Sequence, residues 1–152
     1  MTAPVRLLVA AGAVVILMAG CDRVRESVGD DGPRVLELSH DTIRLAQGVR
    51  LHDVAVRRTA QGDFEPATVQ ARVGDVIRFT ADDNGGHALA FDGAALAPAA
   101  RTWIEGSSQV RSPPLISRGA AWVITLDGAP AGDYPFRCTT HDVAGRLTVS
   151  AQ

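Results

Sequence analysis

From Leu51 onward apolar and polar residues alternate in short runs separated by turn formers. The pattern predicts strands over Asp53–Arg57, Thr68–Val73, Val76–Thr80, Ala88–Phe91, Trp122–Leu126, Tyr134–Cys138 and Arg146–Val149. Strands this short and this regularly spaced predict an all-β sandwich or barrel. Gly74 and Asp75 supply a turn expected to join two of the strands into a hairpin. Gly93 to Pro114 is richer in Ala, Pro and Ser and lacks alternation, so it reads as a long crossover with one helical turn around Ala99 to Ile104. Arg34 to Leu51 carries two readings: RVLEL alternates like a strand, whereas Ser39 followed by HDTIRLAQG fits an N-capped helix ending at Gly48.

The hydropathy of the N-terminus has a different form. Arg6 precedes the apolar run Leu7–Met18, which leads to Ala19, Gly20 and Cys21, the layout of an export signal. The run is too short for a permanent membrane helix, which needs about 20 residues. Met18, Ala19, Gly20 and Cys21 resemble a bacterial lipobox. The resemblance implies diacylation of the Cys21 thiol and removal of residues 1–20; a short uncleaved anchor is the alternative, and either places the remainder outside the cytoplasm. Residues 21–33 are polar, end in Gly32 and Pro33, and read as a tether, leaving 34–152 as one domain. Under the sorting rule of enteric lipoproteins, Asp22 behind the lipidated cysteine implies retention at the cytoplasmic membrane. The expectation is a lipid-anchored protein on the exported side of the bacterial envelope.

Composition narrows the partners. The chain carries 15 basic residues, all Arg, against 17 acidic ones, and no window is strongly basic, so a nucleic-acid partner is not expected. Its two cysteines, Cys21 and Cys138, each have a chemistry of their own, which argues against a disulfide framework. Both methionines, Met1 and Met18, lie in the leader.

Three potential metal ligands remain. His87 follows a turn of Asp82, Asp83, Asn84, Gly85 and Gly86, Cys138 ends a predicted strand, and His141 comes three residues later. A thiolate with two imidazoles suits copper, because the soft sulfur stabilises Cu(I) while imidazole serves both oxidation states. Zinc with water as a fourth ligand ranks below it. No catalytic residues are assigned: a Cys with a His three residues away lacks the usual nucleophile–base geometry, and no Cys-x-x-Cys or phosphate loop occurs. His40 and His52 are read as structural, and Trp103 and Trp122 as packing.

Residues 64–93 and 132–149 resemble the two signature regions of the cupredoxins, the blue copper proteins related to plastocyanin, pseudoazurin and amicyanin. Phe64, Pro66, Gly74, Asp75, Phe79 and His87 match the first region in order, and Gly132, Tyr134, Phe136, Cys138 and His141 the second. The resemblance spans Asp53 to Val149 and implies a Greek-key β-sandwich with one type 1 copper ion held by His87, Cys138 and His141. It implies single-electron transport between redox proteins of the envelope, and no enzymatic activity. The alternative is a copper-delivery or protein-interaction module of the same fold with a weakened site.

Two departures from the family pattern bear on that choice. The axial Met expected a few residues after His141 is absent, its place falling at Ala144 or Arg146, and Ala88 stands where the family commonly has an Asn that braces the ligand loop. The Gly86 carbonyl could act as a weak axial oxygen. Without a thioether, and with an apolar Ala144 or a cationic Arg146 over the metal, the expected reduction potential lies on the upper side of the family's range.

Overall fold

The computed structural model describes residues 34–37, 42–60 and 62–151. The leader, the tether with Cys21 and Asp22, and His40 lie outside the described residues. No helix among the described residues is long and apolar enough to cross a membrane.

Among the described residues, ten strands and one helix follow in chain order: β1 (Arg34–Glu37), β2 (Thr42–Leu45), β3 (Leu51–Thr59), β4 (Gly62–Glu65), β5 (Thr68–Arg72), β6 (Val76–Ala81), β7 (Leu89–Phe91), α1 (Pro98–Gly106), β8 (Ala121–Thr125), β9 (Gly132–Cys138) and β10 (Val143–Ser150). Strands β1 and β2 form an antiparallel pair, and the others form two four-stranded sheets ordered β5-β10-β9-β7 and β4-β3-β6-β8. This is the β-sandwich expected.

Each sheet turns one face inward, and the alternation in the sequence says which. In β8, Trp122 and Ile124 are buried between half-buried neighbours; in β9, Tyr134, Phe136 and Cys138 share the buried face; in β10, Leu147 and Val149 do so. Aromatic side chains meet in the centre: Phe136 lies edge-on to Phe64 at 4.9 Å and to Phe79 at 5.2 Å, and Phe79 stacks on Trp122 at 5.5 Å. Full burial of each such Phe contributes about 1.5–3 kcal/mol. The packing allows no side chain at Gly145, where a Cβ would stand 2.4 Å from the Phe136 ring.

One expectation needs correction, one open reading is decided, and one strand was not expected. Gly74 and Asp75 do not close a hairpin: β5 pairs in parallel with β10, while β6 pairs with β3 and β8 in the other sheet, so the turn carries the chain between sheets. A tight turn reverses the chain whether or not the strands it joins hydrogen-bond to each other. Residues 42–45 form a strand and not a capped helix. β-Branched Thr42 and Ile43 favour extended backbone, and Ile43 and Leu45 turn inward while Thr42 and Arg44 are exposed, a period of two. Strand β4 was not foreseen, because Gly-Asp-Phe-Glu is poor in strand formers. It forms through pairing with β3, where Val56 faces Phe64 and Ala55 faces Glu65. In the crossover, the expected helical turn is a full helix, α1, entered through Pro98 and packing Ala100 and Ile104 against the core.

Candidate metal centre

The strand register carries the site residues to one end of the sandwich. Cys138 is the last residue of β9, opposite Leu89 of β7 and Val143 of β10, and its inward side chain is fully buried. His87 lies two residues before β7. Gly86, at φ +70°, turns the chain into it, and a bridge in which His87 and Leu115 exchange backbone hydrogen bonds of 2.8 and 2.9 Å ties it to the crossover. His141 sits in the short turn between β9 and β10, which Asp142 closes at φ 56°.

The three residues singled out from the sequence come together. Cys138 Sγ is 3.8 Å from His87 Nδ1 and 3.5 Å from His141 Nδ1, and the two imidazoles lie edge to face with centroids 5.0 Å apart. A fourth residue joins them: the Asp63 carboxylate, on β4, approaches His141 Nδ1 at 2.5 Å and His87 Nδ1 at 3.8 Å. One ligand atom from each of Asp63, His87, Cys138 and His141 lies within 4.8 Å of the others. His87 and Asp63 are buried, and only His141, with 12% of its side chain exposed, reaches the surface.

Supporting contacts fix these rings. His87 Nε2 is 2.8 Å from Asp83 Oδ1. Hydrogen bonds donated by the Arg58 and Gly85 backbone N–H groups, and by His87, hold the Asp83 carboxyl well below the usual carboxylate range. An ionised Asp83 only accepts hydrogen bonds, so His87 carries its proton on Nε2 and turns the Nδ1 lone pair toward Cys138. Ala88, which replaces the family's bracing Asn, braces with its backbone: its carbonyl accepts from the Thr139 N–H at 2.7 Å and the Thr139 hydroxyl at 3.1 Å. The residue after the first His is thereby tied to the residue after the Cys.

The axial expectations at Ala144 and Arg146 are not met. Strand β10 begins at Val143, so both lie inside it, on the outward face that alternates with Val143, Gly145 and Leu147. Ala144 is exposed, and Arg146 pairs with Asp133 at 3.6 Å. Neither side chain stands over the centre, so the upper-range potential keeps only the missing thioether as its basis. The oxygen beside the two histidines belongs to Asp63. Sequence reasoning missed this residue, although it directly precedes the matched Phe64-x-Pro66 motif. His52 stands apart as expected, bonded through Nε2 to Asp75 at 2.9 Å, and Trp103 and Trp122 pack, the former donating its ring N–H to the Asp127 carbonyl.

A thiol, two imidazoles offering the same nitrogen, and a carboxylate make a donor set that fits a transition-metal ion, copper foremost because of the sulfur. The sequence pattern of the plastocyanin/azurin family of copper binding proteins matches residues 53–150. No curated protein matches the chain. Among solved structures, a purple cupredoxin from Nitrosopumilus maritimus is 21% identical, over 65% of this chain and 99% of that one, with a TM-score of 0.48. A reduced amicyanin variant is 22% identical over 69% of this chain and 85% of its own, also at 0.48. A pseudoazurin from Sinorhizobium is 24% identical over 67% and 75%, again at 0.48.

Proposed function

From the premise that the chain belongs to the plastocyanin/azurin family of copper-binding proteins, we propose that it carries single electrons between redox proteins of the bacterial envelope and is not an enzyme. The observation that carries this reading is the convergence of His87, Cys138 and His141 from separate segments onto one buried point. Bound there, copper supplies a one-electron couple between Cu(I) and Cu(II).

The protein's own residues set the conditions for that couple. Cys138, fixed at a strand end and packed on both flanks, offers its sulfur without rearrangement. Asp83 holds the His87 ring so that Nδ1 points inward, and the Thr139–Ala88 bonds keep the two segments in register. A donor set locked into two sheets moves little when charge changes, which keeps the reorganisation cost of electron transfer low. His141 is the member that reaches solvent, and a redox partner would approach there.

In the test, Cu(II) is added to the purified chain and the visible spectrum recorded. An intense thiolate-to-copper band that bleaches on mild reduction is expected. A chain that takes up no copper would overturn the carrier reading in favour of a protein-interaction module. The site's place at the membrane rests on the lipobox-like Met18-Ala19-Gly20-Cys21, with retention at the cytoplasmic membrane resting on Asp22. Two acyl chains make a stable anchor where one is marginal. Cys21→Ala should leave the chain unprocessed or released from the membrane fraction; a processed, membrane-bound variant would reject the anchor.

A further inference from the structure

We propose that the Asp63 carboxylate is the fourth donor of the copper centre, in place of the thioether the mature chain lacks, and that it biases the centre toward Cu(II). The inference rests on the copper-carrier reading and adds a ligand and an oxidation-state preference to it.

Two aspartates touch the site histidines, and they touch different nitrogens. Asp83 meets His87 at Nε2, the side turned away from the sulfur, as a carboxylate does when it only orients a ligand. Asp63 Oδ2 meets Nδ1 of both rings, at 2.5 Å for His141 and 3.8 Å for His87. Those are the same atoms that face Cys138 Sγ at 3.5 and 3.8 Å. Asp63 therefore stands inside the ring of donor atoms. Donors that share one ion at about 2.0–2.3 Å in tetrahedral array lie roughly 3.3–3.8 Å from one another, a spacing that the 3.5 and 3.8 Å separations meet. The Asp63–His141 distance, 2.5 Å, is that of a hydrogen bond, so a proton occupies that gap, and all four donor atoms lie within 4.8 Å of one another.

Burial supports the same assignment. Asp63 is 2% exposed, yet no backbone N–H and no arginine among the described residues bonds its carboxylate. Arg57 on the neighbouring strand pairs with Glu65 and Asp82 instead. A buried carboxylate needs compensation by a cation or several donors, and the ring nitrogens that face this one are the metal-facing ones. With a thiolate and a carboxylate around it, Cu(II) gives a neutral buried centre and Cu(I) one of charge −1, which burial disfavours. A hard anionic oxygen prefers the higher oxidation state as well. The centre should therefore sit toward the lower side of the family's potentials, opposite to what the missing Met alone implied.

In the test, Cu(II) and Cu(I) affinities of the full chain, Asp63→Asn and Asp63→Ala are measured by chelator competition, together with visible and EPR spectra of the Cu(II) forms. The variants should lose at least about tenfold more affinity for Cu(II) than for Cu(I), with a displaced charge-transfer band. Equal losses for both ions, or unmoved spectra, would overturn the assignment. A crystal structure of the Cu(II)-loaded wild-type chain gives an answer independent of any variant. It should place an Asp63 oxygen about 2.0–2.2 Å from the metal, and a carboxylate turned away from the metal would overturn it. If wild type and variants bind copper alike, Asp63 alone loses its role; if the wild type takes up none, the carrier reading falls with it.

Discussion

An aspartate–histidine pair lies toward each end of the parallel β3–β6 pairing. At the start of that register, where Leu51 faces Val76 and His52 faces Ile77, Asp75 bonds His52. At its other end, where Val56 faces Ala81 on one side and Phe64 of β4 on the other, Asp63 bonds His141. Both aspartates are buried, at 6% and 2% side-chain exposure. Their company separates them. The Asp75 carboxylate is filled by backbone, accepting from Arg50 N–H at 3.1 Å and Arg72 N–H at 2.9 Å besides the histidine. Among the described residues, the Asp63 carboxylate meets only imidazole nitrogens, with a thiol behind them. A buried pair whose acceptors are spent on the backbone fastens a turn, whereas one that shares its space with a thiol and a second imidazole can hold an ion.

The comparison breaks most sharply at the sulfur. Cys138→Ser should abolish the intense visible band of the copper form, since a hydroxyl is a poor, hard substitute for a thiolate, while leaving the Asp75 end unaltered. Titration with Cu(II), followed by absorbance, checks this. A retained band would mean that copper sits elsewhere.

Removing the charge from the other end should cost stability and leave copper untouched. Burial alone would raise the Asp75 pKa, but the His52 hydrogen bond and the Arg72 and Arg50 backbone N–H groups outweigh it, and the net shift is downward. A carboxyl depressed in the folded state stabilises fully above the unfolded value of about 4, and that contribution fades as pH falls through the lower folded value. Asp75→Asn should therefore lose about 1–3 kcal/mol near neutral pH, measured by urea unfolding. Its stability should also fall less steeply than wild type between about pH 5 and pH 3. An equal slope would show that Asp75 does not drive the acid dependence.

Much of this contrast was legible in the sequence, on one side of the site. Gly-Asp-Tyr-Pro-Phe-Arg-Cys alternates so that Tyr134, Phe136 and Cys138 must share a face, and the two signature regions place His87 and His141 near that strand end. Asp63 was not legible, because its burial comes from β4 pairing with β3 across residues whose own preferences do not favour a strand. Nothing in the local sequence separates it from Asp53, whose exposed side chain bonds Arg78. The axial position failed for a related reason. Counting residues after His141 reaches Ala144, but β10 opens at Val143 and pleating turns Ala144 outward. Gly74 and Asp75 read correctly as a turn. Which sheet received the next strand depended on contacts with β3, β8 and β10, distant in sequence.

The smallest effect is expected from His52→Ala. The ring is partly solvated, at 22% side-chain exposure, and its loss takes one of three hydrogen bonds from the Asp75 carboxylate while both backbone donors stay. No buried donor is orphaned, because Arg50 and Arg72 keep their acceptor. The cost should be about 0.5–1.5 kcal/mol, the net worth of one hydrogen bond, with copper uptake and spectrum as in wild type. Urea unfolding of the two variants ranks them. If His52→Ala cost as much as Asp75→Asn, the histidine and not the backbone would be holding that turn, and the distinction between a carboxylate saturated by amides and one left facing ligands would no longer separate the two ends.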